Sequence, residues 1–128
     1  MIVNSLFKAV QKQLSTDPQL KDALENKIYF NVPERPVYPC VVFGIDEFID
    51  NDDACYVKFN VQLLSVHRKG TELLKTAYLI DSVLTANNFD PMPTVSIACH
   101  RSNMVIDLPA GQRPQAIKFF YRAMMWRK

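Results

Sequence analysis

From Val57 to Leu63 the chain alternates without a break, with Val57, Phe59, Val61 and Leu63 on one parity and Lys58, Asn60 and Gln62 on the other. A period of two belongs to an extended strand, and no helix gathers those four apolar side chains on one side. A chain holding such a segment builds a sheet with one face against a core and the other against water or a partner. The preceding stretch supplies the first neighbour. Its sequence CVVFGIDEFID, from Cys40 to Asp50, is rich in β-branched and aromatic residues, and Asp50, Asn51, Asp52 and Asp53 tolerate the backbone angles of a tight turn. Together Val37 to Ser65 read as a β-hairpin.

The remaining elements follow from periodicity and breakers. Val3, Leu6, Phe7, Val10 and Leu14 recur at helical spacing, with Lys8, Gln11 and Lys12 opposite, so the chain begins with an amphipathic helix that packs on the sheet. Asp17-Pro18 is a cap and first-turn signal for a short second helix through about Leu24, before Asn26 ends it. Ile28 to Phe30 makes a short strand. Pro33, Pro36 and Pro39 donate no ladder hydrogen bonds, so the segment they occupy is a stiff connector or an edge. After the hairpin comes a basic loop, His67, Arg68 and Lys69, read as a solvated turn or a small patch for an acidic partner. A helix follows, capped by Thr71, with Glu72 in its first turn, Leu73, Ala77, Ile80 and Leu84, joined by Leu74, Tyr78 and Val83, on a broad apolar face, and Asn87 and Asn88 at its close.

Asp90-Pro91-Met92-Pro93 breaks the chain before a strand in which Val95, Ile97 and Cys99 alternate with Ser96, Ala98 and His100. Beyond Arg101, Ser102 and Asn103 the apolar parity changes at Met104 and Ile106, which predicts a β-bulge or bend. A loop from Asp107 to Pro114 leads to a last strand, Gln115 to Trp126. This order of elements predicts an α+β fold: an antiparallel or mixed sheet of four to five strands with two main helices on one face.

At 128 residues the chain is expected to form one domain spanning residues 1–128. A formal net charge of +2 demands neither a nucleic acid nor a membrane surface as partner, and no apolar run approaches the roughly 20 residues of a membrane span. The lysines of the first helix lie inside the apolar pattern, unlike those of a secretory signal, so an intracellular chain is expected. The three cysteines, Cys40, Cys55 and Cys99, lack metal-like spacing. In the hairpin Cys40 and Cys55 fall about nine residues apart, roughly 30 Å, far beyond disulfide reach, so free thiols are expected.

Nothing in the sequence assembles a catalytic constellation. His67 and His100 belong to no motif with a carboxylate and a Ser or Cys, and Cys99 and His100 point to opposite faces of a strand. Gly44, Gly70 and Gly111 are too isolated for a phosphate loop, and Asp46, Glu47, Asp50, Asp52 and Asp53 lack calcium-loop spacing and read as a solvated turn. The expectation is a protein with no catalytic centre, metal or cofactor.

The last strand departs from the usual pattern. Its odd positions, Ile117, Phe119, Tyr121, Ala123 and Met125, suit a core, but its even positions, Lys118, Phe120, Arg122, Met124 and Trp126, mix two cations with Phe, Met and Trp. Water alone selects no such stripe, and aromatic residues, Met and Arg are enriched in protein interfaces. With either parity facing the helices, one large apolar stripe lies off the helical core. Two readings stand: a subunit contact, or a stripe covered within the monomer by the N-terminal segment or a curl of the sheet.

One arrangement of residues extends across most of the chain, from about Leu14 to Leu84: Ile28-Tyr29, Val32-Pro33, Tyr38-Pro39-Cys40-Val41-Val42-Phe43-Gly44, a strand ending in Leu64-Ser65, and Gly70 and Glu72 opening a helix. This order resembles the tail terminator family of long-tailed bacteriophages, also called tail completion or minor tail proteins. It departs from the family at Cys40, where an aromatic is common, and at Leu63-Leu64, where a Trp often precedes the Ser.

The resemblance implies a structural virion protein, of phage or prophage origin, whose copies form a ring, typically a hexamer. That ring caps the tail tube and joins the tail to the head. The implied partners are further copies of the chain, the tail tube protein, the head-tail connector protein and DNA passing through without sequence-specific binding. The implied location is the head-tail junction of the virion, and the host cytoplasm during assembly. A head-to-tail ring needs two different patches per subunit. The candidates are the Lys118, Phe120, Arg122, Met124 and Trp126 stripe, the segment with Pro33, Pro36 and Tyr38, and the Asp107 to Pro114 loop; Lys118 and Arg122 are also candidates to line the lumen. The alternatives are a head-closure or connector component of the neck, and a host adaptor that binds peptide along the sheet edge.

Overall fold

The computed structural model describes residues 2–25, 27–31, 33–51, 54–66, 70–85, 95–107 and 114–127. Its elements are α1 (Ile2–Thr16), α2 (Pro18–Leu24), β1 (Ile28–Phe30), β2 (Cys40–Asp50), β3 (Ala54–Ser65), α3 (Gly70–Leu84), β4 (Val95–Asp107) and β5 (Gln115–Arg127), in the order predicted. The strands form one mixed sheet in the order β1-β2-β3-β5-β4, so the fold is α+β. β1 runs parallel to β2, and the other neighbours are antiparallel. After α3 the chain crosses to the far edge as β4 and returns as β5 between β3 and β4.

The helices cover one face because each carries an apolar stripe and the odd-parity strand residues meet it. Leu6, Val10 and Leu14 of α1, Leu20 and Leu24 of α2, and Leu73, Ala77, Ile80 and Leu84 of α3 are buried with Val41, Phe43, Phe59, Val61, Phe119, Tyr121 and Met125 of the sheet. A row of rings runs through this core. Phe7 meets Phe43 at 5.5 Å between centroids, Phe43 meets Phe59 at 5.3 Å, and Phe59 stacks on Tyr121 at 5.2 Å. Tilted and stacked contacts of this kind add to the stabilisation from the area that the rings bury. At α2, Asp17 accepts from the backbone N–H groups of Gln19 and Leu20 at 2.9 and 3.1 Å, and Glu25 closes the helix in the left-handed region at φ 49°.

The alternation of β4 and β2 is broken at two points. The β4–β5 register shifts between Arg101 and Asn103, where the parity change predicted it, and the β2–β3 register shifts between Ile45 and Glu47. The β2 shift corrects one expectation: Asp46 and Glu47 lie inside a strand and not in a solvated turn. There the Asn60 amide donates to Asp46 Oδ1 at 2.9 Å, and Glu47 pairs with Lys58 at 3.2 Å. A second correction concerns Thr71, which lies inside α3, since the helix already includes Gly70. The loop residues His67, Arg68 and Lys69, the turn residues Asp52 and Asp53, Asn26, Asn87, Asn88, the breaker from Asp90 to Pro93 and loop residues 108–113 lie outside the described residues.

Candidate functional site: the uncovered sheet face

Directly paired residues of neighbouring strands share a face, so the register assigns every side chain. The odd positions of β5 face the helices and are buried from Ile117 to Met125. Lys118, Phe120, Arg122, Met124 and Trp126 face the other way, beside Gln62, Asn60, Lys58, Tyr56 and Ala54 of β3. The first helix packs in the core on the opposite face, so the N-terminal segment does not cover the stripe.

This outer face has two unlike ends. At one end Cys40, Val42 and Leu64 form a small second core, against which Tyr29, Tyr38 and Ala116 pack. Tyr38 reaches it from the Pro33 to Pro39 connector, in which Pro33 and Pro36 are half-buried and Val37 is exposed. Tyr38 therefore covers this end of the sheet and does not join the β5 stripe. From the Leu64 pairing to the Tyr56 pairing is eight residues of β3 (64 − 56), about 26 Å at about 3.3 Å per residue.

At the other end the face stays open. Ile49, Tyr56, Met124 and Trp126 are each between 38 and 47% exposed. With Glu47, Lys58, His100 and Arg122 they line a basin of about 630 Å³. Its floor is apolar and its rim is charged. Glu47 and Lys58 satisfy each other, whereas His100 and Arg122 face one another across the β4–β5 pair, and no described carboxylate forms an ion pair with either. Between the two ends Lys118 stands over the Phe120 ring at 5.2 Å, a cation–π contact, and Asn60 is buried against Asp46.

Sequence parity located three members of the basin, Arg122, Met124 and Trp126, but not the residues that complete it. Tyr56 carried a usable signal, since it shares the parity of Lys58, Asn60 and Gln62 yet is aromatic. Ile49 did not, because the Asp46 bulge decides which way it points. Adjacent strands place His100 next to Arg122, and only the strand order reveals that. Among the described residues, no group of three or more His, Cys, Asp or Glu side chains could hold a metal ion, and no helix is long and apolar enough to cross a membrane.

No protein-family model matches the sequence, and no curated protein does. The fold, however, is shared with a solved structure. A chain of the virion of a native gene transfer agent particle superimposes with a TM-score of 0.71 over 94% of each chain, at 14% sequence identity.

Proposed function

We propose that this chain is a structural virion protein of the phage-like kind, a tail terminator whose copies form a ring that caps the tail tube and joins it to the head. The observation that carries the reading is the shared architecture: a chain from a virion follows this one over 94% of both lengths. The open apolar face supports it further, because a monomer gains nothing from leaving Trp126, Met124, Tyr56 and Ile49 half in water. In this reading the protein acts through contacts alone, with its own copies, the tube protein and the head-side connector, while DNA passes through the ring.

Solution mass by light scattering, across protein and salt concentration, tests the reading. The expected result is a species near six chains, seen as rings by negative-stain microscopy, that Trp126→Ala or Phe120→Ala dissociates. A single chain at every concentration would count against the ring.

A further inference from the structure

A ring of identical chains joins two different patches, and the uncovered face supplies one of them. The other is sought among exposed apolar side chains away from the basin. The end of β4 meets that requirement. Val105 and Ile106 are 47 and 43% exposed, and Asp107 beside them is exposed. They are successive residues, so they point to opposite faces, and both faces of this strand end are open. β4 is also an edge strand. Its described residues, Val105 to Asp107, include no proline or lysine of the kind that guards a strand edge, so it is a ready contact for another chain.

The two patches complement each other. The basin presents an apolar floor beside His100 and Arg122, which forms no ion pair with any described carboxylate, and one face of the tip presents the Val105 side chain and the Asp107 carboxylate. They lie apart on the molecule: His100 and Asp107 pair with Arg122 and Ala116, six residues apart on β5 (122 − 116), about 20 Å at about 3.3 Å per residue. One chain can therefore use both at once. The acidic hairpin turn is a poorer occupant, because Ile49 beside it already lines the basin, and a hairpin-to-hairpin contact would be two-fold and would stop at a pair.

We propose that the tip of one copy seats in the basin of the next by the face that Val105 and Asp107 share, the carboxylate between Arg122 and His100 and the Val105 side chain against Tyr56, Met124 and Trp126. This rests on the ring reading and names the contact that makes the ring. It assigns Arg122 to the subunit contact and not to the lumen.

The test is a charge swap at two exposed positions, Asp107→Arg and Arg122→Asp. Either variant alone places like charges together, and each is expected to lower the assembled fraction at least tenfold while its melting curve stays that of a folded chain. Mixed in equal amounts, each tip meets the opposite charge in the other variant's basin, and the full assembled mass returns with the two variants alternating. Trp126, the chain's one tryptophan, reports seating directly through a blue shift of its emission on assembly. Should a charge variant fail to fold, Val105→Asp probes the same tip, with loss of assembly expected.

A wild-type oligomer indifferent to these substitutions, or a mixture that stays dissociated, overturns the contact and leaves the ring standing. A wild type that remains a single chain up to about millimolar concentration overturns both.

Discussion

The Tyr121 hydroxyl, deep under α3, donates to Asp81 Oδ1 at 3.0 Å, while Arg101 approaches the other oxygen of the same carboxylate at 3.7 Å. Burial first, and then the Asp81 charge, push both Tyr121 and the nearby Cys99 thiol toward their neutral forms, Cys99 from 9.0 to about 12. The sign follows from proton linkage. A thiol whose pKa is raised on folding keeps its proton in the folded state longer than in the unfolded one, so its stabilising contribution is complete below pH 9 and is lost as pH rises toward 12. Tyr121 acts in the same direction from its own higher starting point. Urea unfolding should therefore give a flat stability up to about pH 9 and a fall above it. Tyr121→Phe should cost about 1 kcal/mol at pH 7 and make the alkaline fall shallower. A steeper fall in that variant would place the alkaline sensitivity elsewhere.

At Gly44 the β2 backbone passes close to a buried side chain of β3. A Cβ there would sit 3.1 Å from both amide atoms of Asn60, whose side chain is buried and held by Asp46. Replacing a strand glycine ordinarily gains about 0.5 to 1 kcal/mol, and overpacking costs about 1 to 3 kcal/mol. Asn60 can yield only by giving up its hydrogen bond, so the cost wins. Gly44→Ala is expected to lower the unfolding free energy by about 1 kcal/mol. Asn60→Ala in the same chain should remove the clash, so the two changes together should cost less than the sum of each alone.

The two bulges act together at the scale of elements. The β2 bulge lies between the rows of Phe59 and Lys58, and the β4 bulge between the rows of Tyr121 and Phe120, which pair with Phe59 and Asn60. Both bulged strands thus bend near the Phe59–Tyr121 row. A bulge bends its strand and increases the local twist, which sets the basin end at an angle to the Tyr38 end. Ser102, the extra residue of β4, donates to the Phe120 carbonyl at 3.2 Å. Deleting Ser102 would leave Asn103 opposite Phe120 and Met104 opposite Phe119, so every later side chain would keep its face. The variant should fold with a melting temperature within a few degrees of the wild type, yet assemble less well because the sheet is straighter. Loss of folding would show that the bend belongs to the core as well.

Strand periods, the α2 cap and the β4 bulge were legible because each leaves a local mark in the sequence: β3 and β5 alternate, Asp17 precedes Pro18, and the parity changes at Ser102. The β2 bulge at Asp46 was not legible, because Val41, Val42, Phe43 and Ile45 form an apolar run with no strict alternation whose change of parity could mark it. Strand order was hidden for a different reason. Which strand pairs with which depends on the path of the crossover through α3, and no residue reports it alone. Most of the basin was hidden with it, since its residues come from four strands that only that order brings together.

The whole molecule divides its large side chains between two tasks. Phe59 is fully buried at the centre of the aromatic row, whereas Trp126 is 39% exposed at the rim of the open face. Truncating a buried aromatic loses its transfer free energy and leaves a cavity, about 3 to 5 kcal/mol. Truncating a half-exposed one opens no cavity, and surface changes usually stay near 0.5 kcal/mol. Phe59→Ala should therefore unfold at much lower denaturant concentration than the wild type. Trp126→Ala should melt almost like the wild type when measured as a dilute single chain, and should lose assembly as the concentration is raised. The comparison separates folding from association, because both substitutions remove one ring from the same sheet. If Trp126→Ala proved as destabilising as Phe59→Ala under dilute conditions, Trp126 would be covered within the monomer. Its half-exposure would then no longer support a role for this face in joining one copy to another.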